Sequence, residues 1–231
     1  PLRAEMQKYI DLPIYIENDA NCAALAESMA GAAKGVKHSA TITLGTGVGG
    51  GLVIDGRIYS GFNYAASELG HMVIMRNGEQ CSCGRKGCWE AYASATALIR
   101  ETKRAAEKNP DSVINRLIDG DPSKINAKTA FDAARLGDAA GISVVDEYIG
   151  YLSEGLVNII DILQPEVIVV GGGVSKEGEF LLNPLRKKVL ESAFSLDVPQ
   201  TDIRPAMMGN DAGIIGAAML GKQYGTIYKK E

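Results

Sequence analysis

Residues 40–59 read Ala40-Thr41-Ile42-Thr43-Leu44-Gly45-Thr46-Gly47-Val48-Gly49-Gly50-Gly51-Leu52-Val53-Ile54-Asp55-Gly56-Arg57-Ile58-Tyr59, and this stretch decides the fold class. Residues 40–44, 51–54 and 57–59 are predicted strands, with Asp55-Gly56 as the hairpin turn between the last two. Downstream, the pattern is helical from Ala91, with breaks at Asn109-Pro110 and Gly120-Asp121-Pro122. The longest predicted helix, 138–163, places Ile142, Val145, Ile149, Leu152, Leu156, Ile159 and Leu163 at alternating spacings of three and four. A β-branched run at 166–170 then ends in Gly171-Gly172-Gly173, followed by a helix near 178–194, a strand near 202–206 and a helix near 212–224. Upstream, a short helix ends before Asp11-Leu12-Pro13, Ile14-Tyr15-Ile16 alternates, and 21–33 reads as a helix capped by Asn18 or Asp19. A strand meander followed by strand–helix alternation predicts an α/β or α+β layered domain.

The 231 residues carry 28 acidic and 24 basic side chains, a formal charge of −4. No apolar run approaches the length a membrane helix needs, because Gly, Asp or Glu interrupts each one. Nucleic acid is disfavoured as a partner, since no cluster of Lys and Arg stands clear of acids. The triplet Arg186-Lys187-Lys188 lies on a predicted helix with Glu191 nearby and reads as a solvated face. No secretory leader pattern is expected, and cysteines clustered as ligands suit a reducing compartment, so the expected location is cytoplasmic.

The strongest local signal is His71 followed by Cys81, Cys83 and Cys88. Three thiols and an imidazole are a standard tetrahedral set for structural Zn²⁺. Gly84 and Gly87 fall where such a loop wraps tightly. Three buried free cysteines are the blander reading, but Gly and charge flank them rather than core residues. A Cys81–Cys83 disulfide would be strained. Cys22, on an Ala-rich helix, reads as core.

The run from Gly45 to Gly51 meets the bare G-x-G-x-x-G pattern, yet a strand follows it where a dinucleotide site needs a helix. Its N–H groups and the Thr46 hydroxyl suit phosphate; a turn needing positive φ is the alternative. In Glu17-Asn18-Asp19-Ala20-Asn21, helix capping and proton abstraction by Asp19 are both compatible with the spacing. Glu68 and Glu90 flank the metal-type residues. With His71, Asn18 and Asp19 they suit a polyhydroxy ligand, while surface solvation would equally explain the two glutamates. A metal on one His71 nitrogen would fix the other as an N–H donor.

Taken together, Glu-Asn-Asp-Ala-Asn, Leu-Gly-Thr-Gly-Val-Gly-Gly-Gly, Glu-x-Gly-His and Cys-x-Cys-Gly-x-x-Gly-Cys-x-Glu, in this order, resemble the ROK sugar kinases and regulators. The likeness runs over essentially all 231 residues and is strongest to the bacterial glucokinases of that family. It implies an α/β fold of the actin-like, ribonuclease-H-like ATPase type, a mixed β-sheet flanked by helices with a zinc-bound loop, and ATP in a cleft between two lobes. It further implies Asp19 as the general base for a sugar 6-hydroxyl and Asn18, Asp19, Glu68, His71 and Glu90 as sugar ligands. Structural Zn²⁺ is implied on His71, Cys81, Cys83 and Cys88. Thr46 and Gly47 fall in the second phosphate motif, and Gly171, Gly172, Gly173 and Val174 in the adenosine motif. The implied reaction is ATP- and Mg²⁺-dependent phosphorylation of a hexose, glucose to glucose 6-phosphate, by a dimer or tetramer.

One feature of the family's kinases does not occur in this sequence: an Asp-x-Gly-Gly-Thr strand that holds the first phosphate. The expectation is therefore that residues 1–231 are the carboxy-terminal, larger lobe, with the 212–231 helix packing partly on an amino-terminal lobe. Two rivals stand beside the kinase. One is the effector domain of a sugar-responsive ROK repressor, although repressors of the best-known type lose the Asn-Asp region and the Gly-Thr-Gly run. The other is a zinc-stapled sugar-binding module without catalysis.

Overall fold

The computed structural model describes residues 1–225. Among these residues five strands form one mixed sheet: β1 (Ser39–Leu44), β2 (Val48–Ile54), β3 (Arg57–Ile58), β4 (Val167–Gly171) and β5 (Asp202–Pro205). Their order is β3-β2-β1-β4-β5. The β1–β2 and β2–β3 pairs are antiparallel, and β1–β4 and β4–β5 are parallel. Among the described residues the helices are α1 (Leu2–Gln7), α2 (Asp19–Ala30), α3 (Glu90–Ala93), α4 (Ala95–Lys108), α5 (Val113–Leu117), α6 (Thr129–Arg135), α7 (Ala139–Leu163), α8 (Glu179–Ser192) and α9 (Ala212–Tyr224). An antiparallel meander extended by parallel strands, with helices on both faces, is the ribonuclease-H-like arrangement of the actin-like ATPases. None of these helices is long and apolar enough to cross a membrane.

Strand alternation sorts the faces. Ala40, Ile42, Leu44, Leu52, Ile168 and Val170 point to the larger core. There they meet Val145, Ile149, Leu152, Leu156 and Ile159 of α7, together with Leu181, Leu182 and Leu185 of α8. Each such fully buried aliphatic side chain contributes about 1.5–3 kcal/mol. Two positions of the predicted α7 stripe depart from it: Ile142 is 49% exposed and Leu163 37%. They lie in the first and last turns, the second just before Gln164, whose left-handed φ of 42° ends the helix. Val167 and Val169 face the other way and pack on Ala32 and Ala33 beyond α2.

The glycine run corrects the sequence reading. β2 begins at Val48 rather than 51, so Gly49, Gly50 and Gly51 lie in the strand, opposite Thr43, Ile42 and Thr41. Their lack of a side chain serves packing. A Cβ on Gly51 would stand 2.6 Å from that of Ala24 in α2, and one on Gly50 would strike the Leu69 side chain. On its far side α2 meets α9, where a Cβ on Gly216 would run into the Cys22 carbonyl. Helix α2, buried from Ala20 to Glu27, is thus held between two glycine-bearing surfaces. Cys22 belongs to this packing, with Leu25 and Leu220. The Ile14-Tyr15-Ile16 alternation forms no strand, and α1 buries none of its residues. The last helix ends at Tyr224 within the described residues; the 226–231 part of the predicted 212–231 helix lies outside them.

Candidate active site

Helix α2 starts where the chemistry was expected. Asn18 is its N-cap: Oδ1 accepts the N–H groups of Ala20 at 2.8 Å and Asn21 at 3.2 Å. Capping therefore uses the oxygen of Asn18, and among the described residues its Nδ2 donates to no protein acceptor. Asp19, in the first turn, stands exposed with Oδ1 accepting the N–H of Ala20 at 2.9 Å. Glu17 anchors the approach. Its Oε1 accepts from Asn18 N–H at 3.0 Å and Asn21 Nδ2 at 2.9 Å, and its Oε2 from the hydroxyls of Ser60 at 3.1 Å and Tyr224. Burial raises the Glu17 carboxyl, but these four donors together hold it below the usual carboxylate range. In Cys22, burial and then the charges of Glu17 and Asp19 push the thiol up.

The segment after β3 turns back onto this site. Ser67 adopts a left-handed φ of 69°, held by a 2.9 Å bond from its hydroxyl to the Tyr59 carbonyl, and Glu68 follows it, exposed. His71 closes a short 3₁₀ turn, Leu69–His71. An isolated bridge between Val73 and Cys88 then brings His71 near the cysteine loop. That loop reverses at Gly84 (φ 89°) and Gly87 (φ 79°), as the sequence suggested. On Gly87 any Cβ would also strike the Met75 carbonyl. Trp89, between Cys88 and Glu90, is wholly buried and donates its indole N–H to the Tyr151 carbonyl at 2.8 Å.

One ligand atom each from His71, Cys81, Cys83 and Cys88 lies within 4.8 Å of the others. Cys83 Sγ and Cys88 Sγ are 3.7 Å apart, and Cys81 Sγ is 3.6 Å from His71 Nδ1. A tetrahedron with metal–sulfur bonds of about 2.3 Å has sulfur–sulfur edges of about 3.8 Å, so the four residues fit a tetrahedral ion. As thiols alone they are ill matched. Burial pushes Cys88 up to about 12, whereas the backbone hydrogen bond from Arg85 lowers Cys83. His71, whose Nδ1 faces Cys81, also lines the adjacent cavity.

That cavity, of about 350 Å³, gathers Asn18, Asp19, Gly47, Glu68, His71 and Glu90. A second, of about 280 Å³, lies between α2, the sheet and the start of α9, and is lined by Glu27, Gly171, Gly172, Gly209, Asn210 and Gly213 among others. Asp19, Ala20, Thr43 and Gly172 line both, so the cavities meet at Asp19. The β1–β2 turn sits beside them, and among the described residues the N–H groups of Thr46 and Gly47 donate to no protein acceptor. Thr46 instead lines a neighbouring cavity that shares Gly47 and Glu90 with the first.

The expected nucleotide residues divide. Gly171 and Gly172 line the second cavity, Gly172 with φ 88°. Gly173 is exposed and lines neither cavity, and Val174 is 2% exposed in the core. Sequence reasoning overlooked Thr43, Glu27 and the 209–213 segment. Of these only Gly209, with φ 55°, carried a local signal.

A model of the ROK family matches residues 1–224. The chain belongs to the ROK family. It is 40% identical over 223 residues to the glucokinase of Thermotoga maritima, covering 96% of this chain and 70% of that protein. A solved ROK glucokinase from Streptomyces griseus, in complex with glucose and AMPPNP, superposes with a TM-score of 0.86 at 38% identity, over 96% of this chain and 72% of that one. The xylose repressor of Bacillus subtilis is also similar, 28% identical over 219 residues, 95% of this ROK chain and 53% of the repressor.

Proposed function

We propose that this ROK chain is the sugar- and nucleotide-binding lobe of an ATP-dependent hexose kinase that converts glucose to glucose 6-phosphate. Asp19 carries the reading, because it lines two cavities at once. The polar cavity beside Glu68, His71 and Glu90 suits a sugar; the one lined by Gly171, Gly172 and the 209–213 segment suits a nucleotide. A carboxylate at their junction is where a hydroxyl on one side meets a phosphoryl group on the other. Likeness to glucokinases, one of them seen with glucose and AMPPNP, supports the same assignment.

In this scheme the Asp19 carboxylate accepts the proton of the sugar 6-hydroxyl as that oxygen bonds to the γ-phosphorus and ADP departs. Asn18, with Oδ1 engaged in the cap, offers Nδ2 to a sugar hydroxyl. Glu68 and Glu90 accept hydrogen bonds from sugar hydroxyls and His71 makes a third contact, so that the 6-hydroxyl alone reaches Asp19. The free N–H groups of Thr46 and Gly47 hold phosphate oxygens. Mg²⁺, when bound with ATP, neutralises phosphate charge. Zn²⁺ is the ion we assign to the four-ligand cluster, where it would fix the loop between His71 and Glu90. Cytoplasmic residence and a dimeric or tetrameric state belong to the same proposal.

We infer further that residues 1–231 are a carboxy-terminal lobe whose partner lobe brings the first phosphate motif. Ile214 of α9, 74% exposed, would then pack against it. The test is a coupled ATP-turnover assay over a hexose panel, on the 231 residues and on the same chain joined to an amino-terminal lobe bearing Asp-x-Gly-Gly-Thr. Expected are no turnover by the first and turnover with glucose as the best substrate by the second. Turnover by the 231 residues alone would overturn the two-lobe inference, and inactivity of both would overturn the kinase. A sugar-responsive regulator is the second reading, favoured by the likeness to the xylose repressor; sugar binding without turnover in the joined chain would support it.

A further inference from the structure

Glu27 lies in the last turns of α2 and is 1% exposed, yet among the described residues no cation pairs with its carboxylate. Three backbone N–H groups do. Oε2 accepts from Ala32 at 2.7 Å, just past the end of α2, and Oε1 accepts from Met207 at 2.9 Å and Met208 at 2.8 Å. The two methionines lie between β5 and α9 and lead directly into Gly209-Asn210, which line the second cavity. On its other side this loop is fixed to the sheet, where the Ala206 N–H donates to the Val170 carbonyl at 3.0 Å. Glu27 therefore closes a brace between the far end of α2 and the cavity wall.

We propose that Glu27 is a positioning residue for the nucleotide: it holds the 206–210 loop in the conformation that accepts ATP. This rests on assigning the second cavity to the nucleotide. Three donors aimed at two oxygens leave no place for a donor on residue 27, so a carboxylate serves and an amide does not. A buried charge is retained when hydrogen bonds replace its hydration, and here every one of them ties down backbone near the cavity. Gly31 belongs to the brace. Its φ of −112° is not left-handed, and a Cβ there would collide with the Glu27 carboxylate.

The test uses the 231-residue chain with Mg-ATP and glucose titrated separately by calorimetry. Glu27→Gln should weaken ATP binding about 10- to 100-fold, the range lost with hydrogen bonds to a charged group, and leave glucose affinity and metal content unchanged. Gly31→Ala should do the same while keeping the charge. Val189→Ala, in the α8 core, serves as a variant that lowers stability alone and should leave ATP affinity unchanged. Hydrogen exchange on the unaltered chain adds a measurement that needs no variant: the Met207 and Met208 amides should be protected without nucleotide. Free exchange there, or equal losses of ATP and glucose affinity, would overturn the proposal. Failure of the unaltered chain to bind Mg-ATP would instead overturn the nucleotide assignment, and the proposal with it.

Discussion

Glu90 Oε2 accepts the backbone N–H of Val48 at 3.0 Å. The other oxygen of the same carboxylate accepts the Ser82 hydroxyl at 3.1 Å. One side chain thus ties the turn that follows β1 to the loop that bears the cysteines. A Cβ on Gly47 would strike Glu90 Oε2. Gly47→Ala should therefore displace the carboxylate and weaken glucose binding about tenfold, the scale of one charged hydrogen bond, without releasing metal. Gly150→Ala on α7, where a Cβ meets nothing within 4 Å, should bind glucose normally. Calorimetry on the two variants checks this.

The metal assignment predicts about one equivalent of zinc per chain by elemental analysis, bound tightly enough to survive purification without chelator. Cys83→Ser should lose it and lower both thermal stability and glucose affinity, because the loop between His71 and Glu90 then loses the ion that holds it. Freshly purified protein without metal would contradict the assignment.

For Asp19, replacement by Asn preserves the shape and the contact to the Ala20 N–H. In any form of the protein that turns over glucose, Asp19→Asn should leave sugar affinity nearly intact and cut kcat by about 10²–10⁴, the loss usual for a general base. Were its role merely to start α2, kcat would barely change.

Asp138 caps α7. Its carboxylate accepts from Gly141 N–H at 2.9 Å, Val113 N–H at 2.9 Å and the Ser112 hydroxyl at 2.7 Å. Burial raises this carboxyl, but the hydrogen bonds outweigh it and hold it below the usual range. A depressed carboxyl adds stability that is present above the unfolded value of about 3.9 and is lost as pH falls through the folded one. Asp138→Ala should cost about 1–2 kcal/mol at neutral pH for the cap alone. In urea titrations the gap to the unaltered chain should stay level down to about pH 5 and narrow below about pH 4. A gap independent of pH would exclude the ionised form as the stabilising one.

The parts legible in the sequence are those whose chemistry is local. Cys81, Cys83 and Cys88 lie within one short loop, so residue type and spacing sufficed to group them; at Asn18-Asp19 the same spacing left the cap open between the two residues, and the structure gives it to Asn18. Strand and helix order followed from turn glycines and apolar periodicity in the same way. Glu27 was illegible because its partners at Met207 and Met208 lie 180 and 181 residues away, and a Glu inside a helix ordinarily faces solvent. The glycines at 49–51 were misread for a related reason. Their cause is α2 and Leu69 pressing on the two faces of β2, which no pattern within the run reveals. Val174 shows the converse: a residue adjoining a nucleotide-type glycine run was swept into the site, although its side chain packs inward.

Trp89 is the only tryptophan of the 231 residues, and it sits between Cys88 and Glu90 with its ring pressed on Gly155 of α7. The molecule is thereby optically labelled at one place. Its entire indole emission originates between Cys88 and Glu90, with the ring nitrogen donating to the Tyr151 carbonyl. Metal departure, loop loosening and sugar arrival would each alter that one fluorophore's surroundings, so its emission reports on each of them without any attached dye, and titrating metal and sugar separately tells them apart.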